Sequence, residues 1–92
     1  MTTPPRLHTA TILNERGLHA RAAAKFIKLA GSFDAHIAVS RSGQTVSGTS
    51  IMGLMMLAAG PGCEIDLEAR GPEADSALTA IIDLIEQRFD ED

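Results

Sequence analysis

The chain reads as a single α+β domain, a two-layer sandwich with the element order β-α-β-β-α-β-α. Three observations predict it. Short stretches alternate apolar and polar side chains, the pattern of strands with one face in water. Three other segments carry apolar residues at three- and four-residue spacings, as amphipathic helices do. Glycine- and proline-containing turns separate these segments, and two kinds of one-faced element bury their apolar sides only by packing in layers. Periodicity does not give the strand order.

The elements follow in order. Leu7 to Leu13 alternates loosely and contains Thr9, Thr11 and Ile12, so it reads as a strand. Asn14 to Gly17 is turn-like and leads into a helix over Ala20 to Ala30, rich in alanine, with Ala23, Phe26, Ile27 and Ala30 on one stripe. Gly31 is its stop. Asp34 to Ser40 sets Ala35, Ile37 and Val39 against polar partners as a half-buried strand. Arg41 to Gln44 is a hairpin turn and Thr45 to Ser47 the return strand. Ser50 is placed to cap a helix over Ile51 to Ala58, which Gly60-Pro61-Gly62 ends. Glu64 to Ala69 alternates cleanly as a strand. Gly71-Pro72-Glu73 opens the last helix, with the stripe Ala74, Ala77, Leu78, Ile81, Ile82, Ile85 and Phe89.

Ninety-two residues suit one small domain, with no linker or repeat, and residues 1–6 and 90–92 read as loose ends. The longest apolar run, Ile51 to Ala59, is too short to span a bilayer, and Met1 to Pro5 has no signal-peptide core. Cys63 is the only cysteine, which excludes an intrachain disulfide and fits a reducing cytoplasm. His8 and His36 fall on strands and read as structural, so no metal site is expected. Up to Ser50 there are six basic and two acidic residues, and after it two basic and ten acidic. Most of the basic group surrounds residues 14–28, which suits partners with acidic or phosphorylated faces. The net charge of −4 and the lack of aromatic–basic alternation argue against nucleic acid.

The chemistry concentrates at Gly17-Leu18-His19-Ala20-Arg21. His19 lies at or near the N-cap of the first helix, where backbone N–H groups lack partners and the macrodipole is positive. Such an end attracts anions and disfavours an imidazolium, leaving one ring nitrogen free as a nucleophile. Arg21 adds an always-charged planar donor for phosphate oxygens. Together these describe a phosphorylatable histidine, although the spacing alone also admits an unreactive surface histidine.

The segment Gly17 to Arg21 closely resembles the active-site segment of the histidine-containing phosphocarrier family, HPr, of the bacterial phosphotransferase system. Ser50-Ile51-Met52-Gly53-Leu54-Met55 resembles that family's regulatory serine and the helix behind it, and its separation from His19 is also similar. The likeness covers roughly residues 7 to 90. Asn14 through Arg21, Phe33-Asp34-Ala35 and the ending Phe89-Asp90-Glu91-Asp92 are closer to the nitrogen-related branch, NPr, whereas the serine segment is closer to the sugar branch. Two departures stand out: Ala22 replaces the proline usual after the arginine, so the helix start frays more easily, and Arg16 stands where sugar-branch members commonly have asparagine.

The resemblance implies an open-faced sandwich, four mostly antiparallel strands with three helices on one face. It implies that His19 accepts a phosphoryl group on Nδ1 from enzyme I or its nitrogen-related counterpart and passes it to an enzyme IIA-type protein. In that scheme Arg21 stabilises charge, the amides of Ala20 to Ala22 contact phosphate, and Gly17 permits the loop geometry. Ser50 is expected to be both a cap and a target for an HPr kinase/phosphorylase. Ile51, Met52 and Met55, with Arg16 and Lys25, are expected to dock partners, the methionines suiting several of them. Leu54 and Leu57 are assigned to the core. The chain is expected to be a monomeric carrier without a cofactor, rather than an enzyme. A phosphorylation-switched binding module without onward transfer is the alternative, and a small-molecule-binding domain is a third class that the intact Gly17–Arg21 segment disfavours.

Overall fold

A computed structural model describes residues 5–91. Strand β1 is Arg6–Thr11, helix α1 Ala20–Gly31, β2 His36–Arg41, β3 Gln44–Ser47, α2 Ile51–Met56, β4 Glu64–Arg70 and α3 Ala74–Glu86, followed by a 3-10 turn at Arg88–Asp90. The strands form one sheet in the order β1-β4-β2-β3, and every pairing is antiparallel. The register places Ala10 opposite Ile65, Val39 opposite Leu67 and Ile37 opposite Ala69, and all six are buried. The residues between them, such as Thr9 opposite Asp66, are on the open face.

The helices cover the buried face. α3 packs on β1, β4 and β2, and α1 packs on α2 and α3. Phe26 of α1, Leu54 of α2 and Ile81 of α3 are wholly buried and meet the strand side chains in one core. Leu54 and Leu57 are core residues as expected, while Ile51, Met52, Met55 and Met56 are exposed. Among the described residues no helix is long and apolar enough to cross a membrane.

The differences from the expected boundaries have local causes. The second strand starts at His36 rather than Asp34, because Asp34 is used by the opening of α3: its N–H donates to Glu73 Oε1 at 2.7 Å and its carbonyl accepts from Glu73 N–H at 3.0 Å. α2 stops at Met56, before the Gly60 turn, because Ala58 has φ +52° and leaves the helix. Phe89, which the spacing sets on the α3 stripe, lies beyond the end of α3. Arg88, Phe89 and Asp90 all have positive φ, so the chain turns back, and Phe89 reaches the core from that turn.

Residues near both ends make contacts within the fold. Arg6 begins β1 opposite Ala69, and its Nε lies 2.8 Å from Asp75 Oδ1. Asp90 belongs to the turn, and Glu91 makes the contacts described below. Residues 1–4 and 92 of the expected loose ends lie outside the described residues.

Candidate functional site

The loop from Asn14 to His19 is shaped by two residues. Gly17 has φ +63°, and a β-carbon there would lie 2.1 Å from the Ala59 carbonyl oxygen, so any side chain is excluded. The next N–H, of Leu18, donates to that same oxygen at 3.0 Å, which ties the loop to the segment after α2. Asn14 is fully buried. Its Nδ2 donates to the Gly17 carbonyl at 2.8 Å and to Glu91 Oε2 at 3.2 Å. Both partners only accept, so the amide cannot be turned round. Its Oδ1 is buried with no donor among the described residues.

His19 is the N-cap residue of α1, with φ −75° and ψ 177°, and its side chain makes no capping bond. Its carbonyl accepts the first helical bond, from Ala23 N–H at 2.8 Å. The N–H groups of Ala20, Arg21 and Ala22 therefore have no helical acceptor, and Ala20 and Arg21 are on the exposed side of that helix start. Ala22 and Ala23 are completely buried, so packing holds the helix start that a proline would otherwise rigidify.

Among the described residues the imidazole is engaged on one side only. Its Nε2 lies 3.1 Å from Glu91 Oε2, and both side chains are partly exposed. Glu91 Oε1 accepts from Arg16 N–H at 3.2 Å. Burial opposes the charged form of Glu91. The Asn14, Arg16 and His19 contacts outweigh it and hold the carboxyl below the usual carboxylate range.

Arg16, His19, Arg21, Ala22, Lys25 and Glu91 line one hollow of about 610 Å³, together with Glu15, Phe89 and Asp90. Arg21 is exposed and makes no ion pair among the described residues. Lys25, expected to dock partners, is partly spent within the chain. Its Nζ donates to the Phe89 carbonyl at 2.7 Å and lies 3.9 Å from Asp90 Oδ2.

Ser50 sits at the start of α2 with φ −109° and ψ 110°, and its Oγ accepts from Gly53 N–H at 3.0 Å. Gly53 leaves room for that bond, since a β-carbon there would crowd Val46 and the Ser50 hydroxyl. The exposed Ile51, Met52 and Met55 follow directly. Cys63 opens the approach to β4, and the Arg41 guanidinium bridges its sulfur at 3.1 Å and the Leu57 carbonyl at 2.8 Å. His8 and His36 are exposed on the sheet, and no cluster of metal-binding side chains occurs among the described residues.

Sequence reasoning singles out His19, Arg21, Gly17 and Ser50 and gives no individual role to Asn14 or Glu91. Asn14 looked like a turn residue and Glu91 a loose end. No local pattern announces a contact between residues more than seventy positions apart.

Comparison with known proteins agrees with this arrangement. A family model described as the PTS HPr component phosphorylation site matches residues 8–87. The chain is 51% identical over 81 residues to phosphocarrier protein HPr of Cupriavidus necator, covering 88% of this chain and 91% of that protein. It is 47% identical over 81 residues to phosphocarrier protein NPr of Shewanella violacea, covering 88% and 89% respectively. Its fold matches the crystal structure of HPr-C-His from Thermoanaerobacter tengcongensis with a TM-score of 0.90 and 39% identity, over 95% of this chain and 98% of that one. With the fold and these likenesses in agreement, the chain belongs to the HPr/NPr family of phosphocarrier proteins of the phosphotransferase system.

Proposed function

We propose that this chain carries a phosphoryl group on His19, taking it from a phosphorylated enzyme I-type protein, or the nitrogen-related counterpart, and giving it to an enzyme IIA-type protein. The observation that carries the reading is the start of α1. An imidazole whose Nδ1 has no partner among the described residues stands beside three N–H groups without helical acceptors and an exposed arginine. Phosphoryl transfer asks for in-line placement and charge stabilisation, and these parts supply both. Nδ1 is the attacking atom in this scheme. Arg21 and the Ala20 to Ala22 amides hold the equatorial oxygens.

A relay must also release what it holds. Arg16 and Arg21 at the hollow are exposed to water, which screens their charges, so the grip on phosphate is moderate. Ser50 is a second modification point in this reading, a target for an HPr kinase/phosphorylase. A phosphate on its oxygen would sit at a helix start, where negative charge is tolerated, and would act on partners approaching Ile51, Met52, Met55 and Arg16. The protein works as a monomer in the cytoplasm and needs no cofactor of its own.

The test is incubation with the upstream kinase and phosphoenolpyruvate, then intact-mass measurement before and after acid. Phosphohistidine is lost in acid and phosphoserine is kept. Addition of an enzyme IIA-type acceptor then separates a carrier, which loses its phosphate to the acceptor, from a switch-only module, which retains it.

A further inference from the structure

We propose that Glu91 is a positioning residue for phosphoryl transfer: it holds His19 as the Nε2–H tautomer and neutralises the phosphorylated ring, so that the cycle runs without a proton passing to or from solvent. This rests on the reading of His19 as the phosphoryl acceptor.

The contact is built rather than incidental. Glu91 Oε2 lies 3.1 Å from His19 Nε2 and accepts from Asn14 Nδ2 at 3.2 Å, while Oε1 accepts from Arg16 N–H at 3.2 Å. Three donors from the opposite end of the sequence therefore hold both carboxylate oxygens. Asn14 is itself buried and locked onto the Gly17 carbonyl. Behind Glu91, Arg88, Phe89 and Asp90 take φ values of 57°, 55° and 58°, a conformation that residues with a β-carbon rarely adopt. The turn is kept by Phe89, buried in the core, and by Lys25, which holds the Phe89 carbonyl. Strained backbone that its surroundings enforce is a feature of functional sites. Here it folds the chain back so that Glu91 faces the start of α1.

The chemistry follows from hydrogen-bond inventory. A carboxylate only accepts, so the shared hydrogen belongs to Nε2 and the lone pair of the neutral ring is on Nδ1. That lone pair attacks the donor phosphorus. The Nδ1–P bond forms, the donor's bond to phosphorus breaks, and its electron pair stays on the donor. Nε2 keeps its proton, so the ring becomes a phosphoimidazolium whose positive charge faces Glu91. In the onward step the acceptor's lone pair attacks phosphorus, the Nδ1–P electron pair returns to the ring, and the neutral Nε2–H tautomer is restored. The other charged groups of the hollow are Arg16, Arg21, Lys25, Glu15 and Asp90. None of them contacts Nε2, so that among the described residues Glu91 is the ring's counter-charge.

Two measurements test this. Two-bond proton–nitrogen correlation spectra of the 15N-labelled, unphosphorylated protein report the tautomer. The neutral parent ring is expected as the Nε2–H form, and Glu91→Ala as a mixture of both. Glu91→Gln keeps the tail's shape and removes only the charge. In that variant the pH profile of phosphoryl loss from isolated phosphohistidine is expected to move at least one unit toward acid, a tenfold slower loss at a given pH on the acid-dependent limb. An unchanged tautomer in Glu91→Ala, or superimposable profiles of parent and Glu91→Gln, overturns the role of Glu91. The tautomer measurement needs no phosphoryl donor. A parent protein that takes up no acid-labile phosphate therefore overturns the reading of His19 separately.

Discussion

At His19 the side chain is anchored through one nitrogen and contributes no capping bond to α1. His19→Ala is therefore expected to abolish phosphoryl acceptance while leaving thermal stability close to that of the parent. Intact mass after kinase treatment, with a melting curve on the same sample, checks both halves. An acid-labile phosphate on the variant would place the acceptor elsewhere. Arg21 is exposed and makes no ion pair among the described residues, so Arg21→Lys should leave the fold alone and slow transfer to and from partners, because lysine keeps the charge but lacks the planar fork. Equal rates for the two proteins would remove Arg21 from the reaction. Gly17 is the opposite case. Its positive φ and the 2.1 Å approach to Ala59 mean that Gly17→Ala must open the loop, at roughly 2 kcal/mol or more in urea denaturation.

At the scale of the element, α2 is too short to be stable alone. It depends on the Ser50 cap and on Leu54 and Leu57 in the core. Ser50→Ala is expected to cost about 1 kcal/mol and to leave acceptance at His19 intact. Ser50→Asp can still cap, so its stability should stay near the parent's, but its charge faces the side where Ile51, Met52 and Met55 are exposed. Upstream docking should weaken, raising KM more than it lowers kcat. Steady-state kinetics and melting curves on both variants decide this. Acceptance by Ser50→Asp equal to the parent's at subsaturating concentration would reduce Ser50 to a cap.

Across the whole molecule, the Glu91 contacts join residues 14–19 to the far end of the chain, which makes the site sensitive to acid. The folded-state carboxyl is held below its ordinary value. Its contribution to stability is therefore complete above the unfolded carboxylate range and is lost as pH falls through the lower, folded value. Melting temperature measured from neutral pH downward should fall less steeply for Glu91→Gln than for the parent below about pH 5. Parallel acid limbs would show that Glu91 does not couple the site to folding.

The sequence by itself determined the element types and the turn positions, and it carries the segment around His19 on which the family likeness rests. Those features are written in local periods of two and three to four residues, in glycine and proline punctuation, and in a five-residue run around His19. The tertiary structure decided the sheet order β1-β4-β2-β3, because antiparallel ladders between distant segments leave no local spacing to read. It also decided that Asn14 is a buried post, that Lys25 serves a turn, and that Phe89 enters the core off the end of α3 rather than along it. Above all it brought Glu91 to His19, a contact made by three successive left-handed residues whose conformation no propensity favours and only the packing of Phe89 and Lys25 enforces.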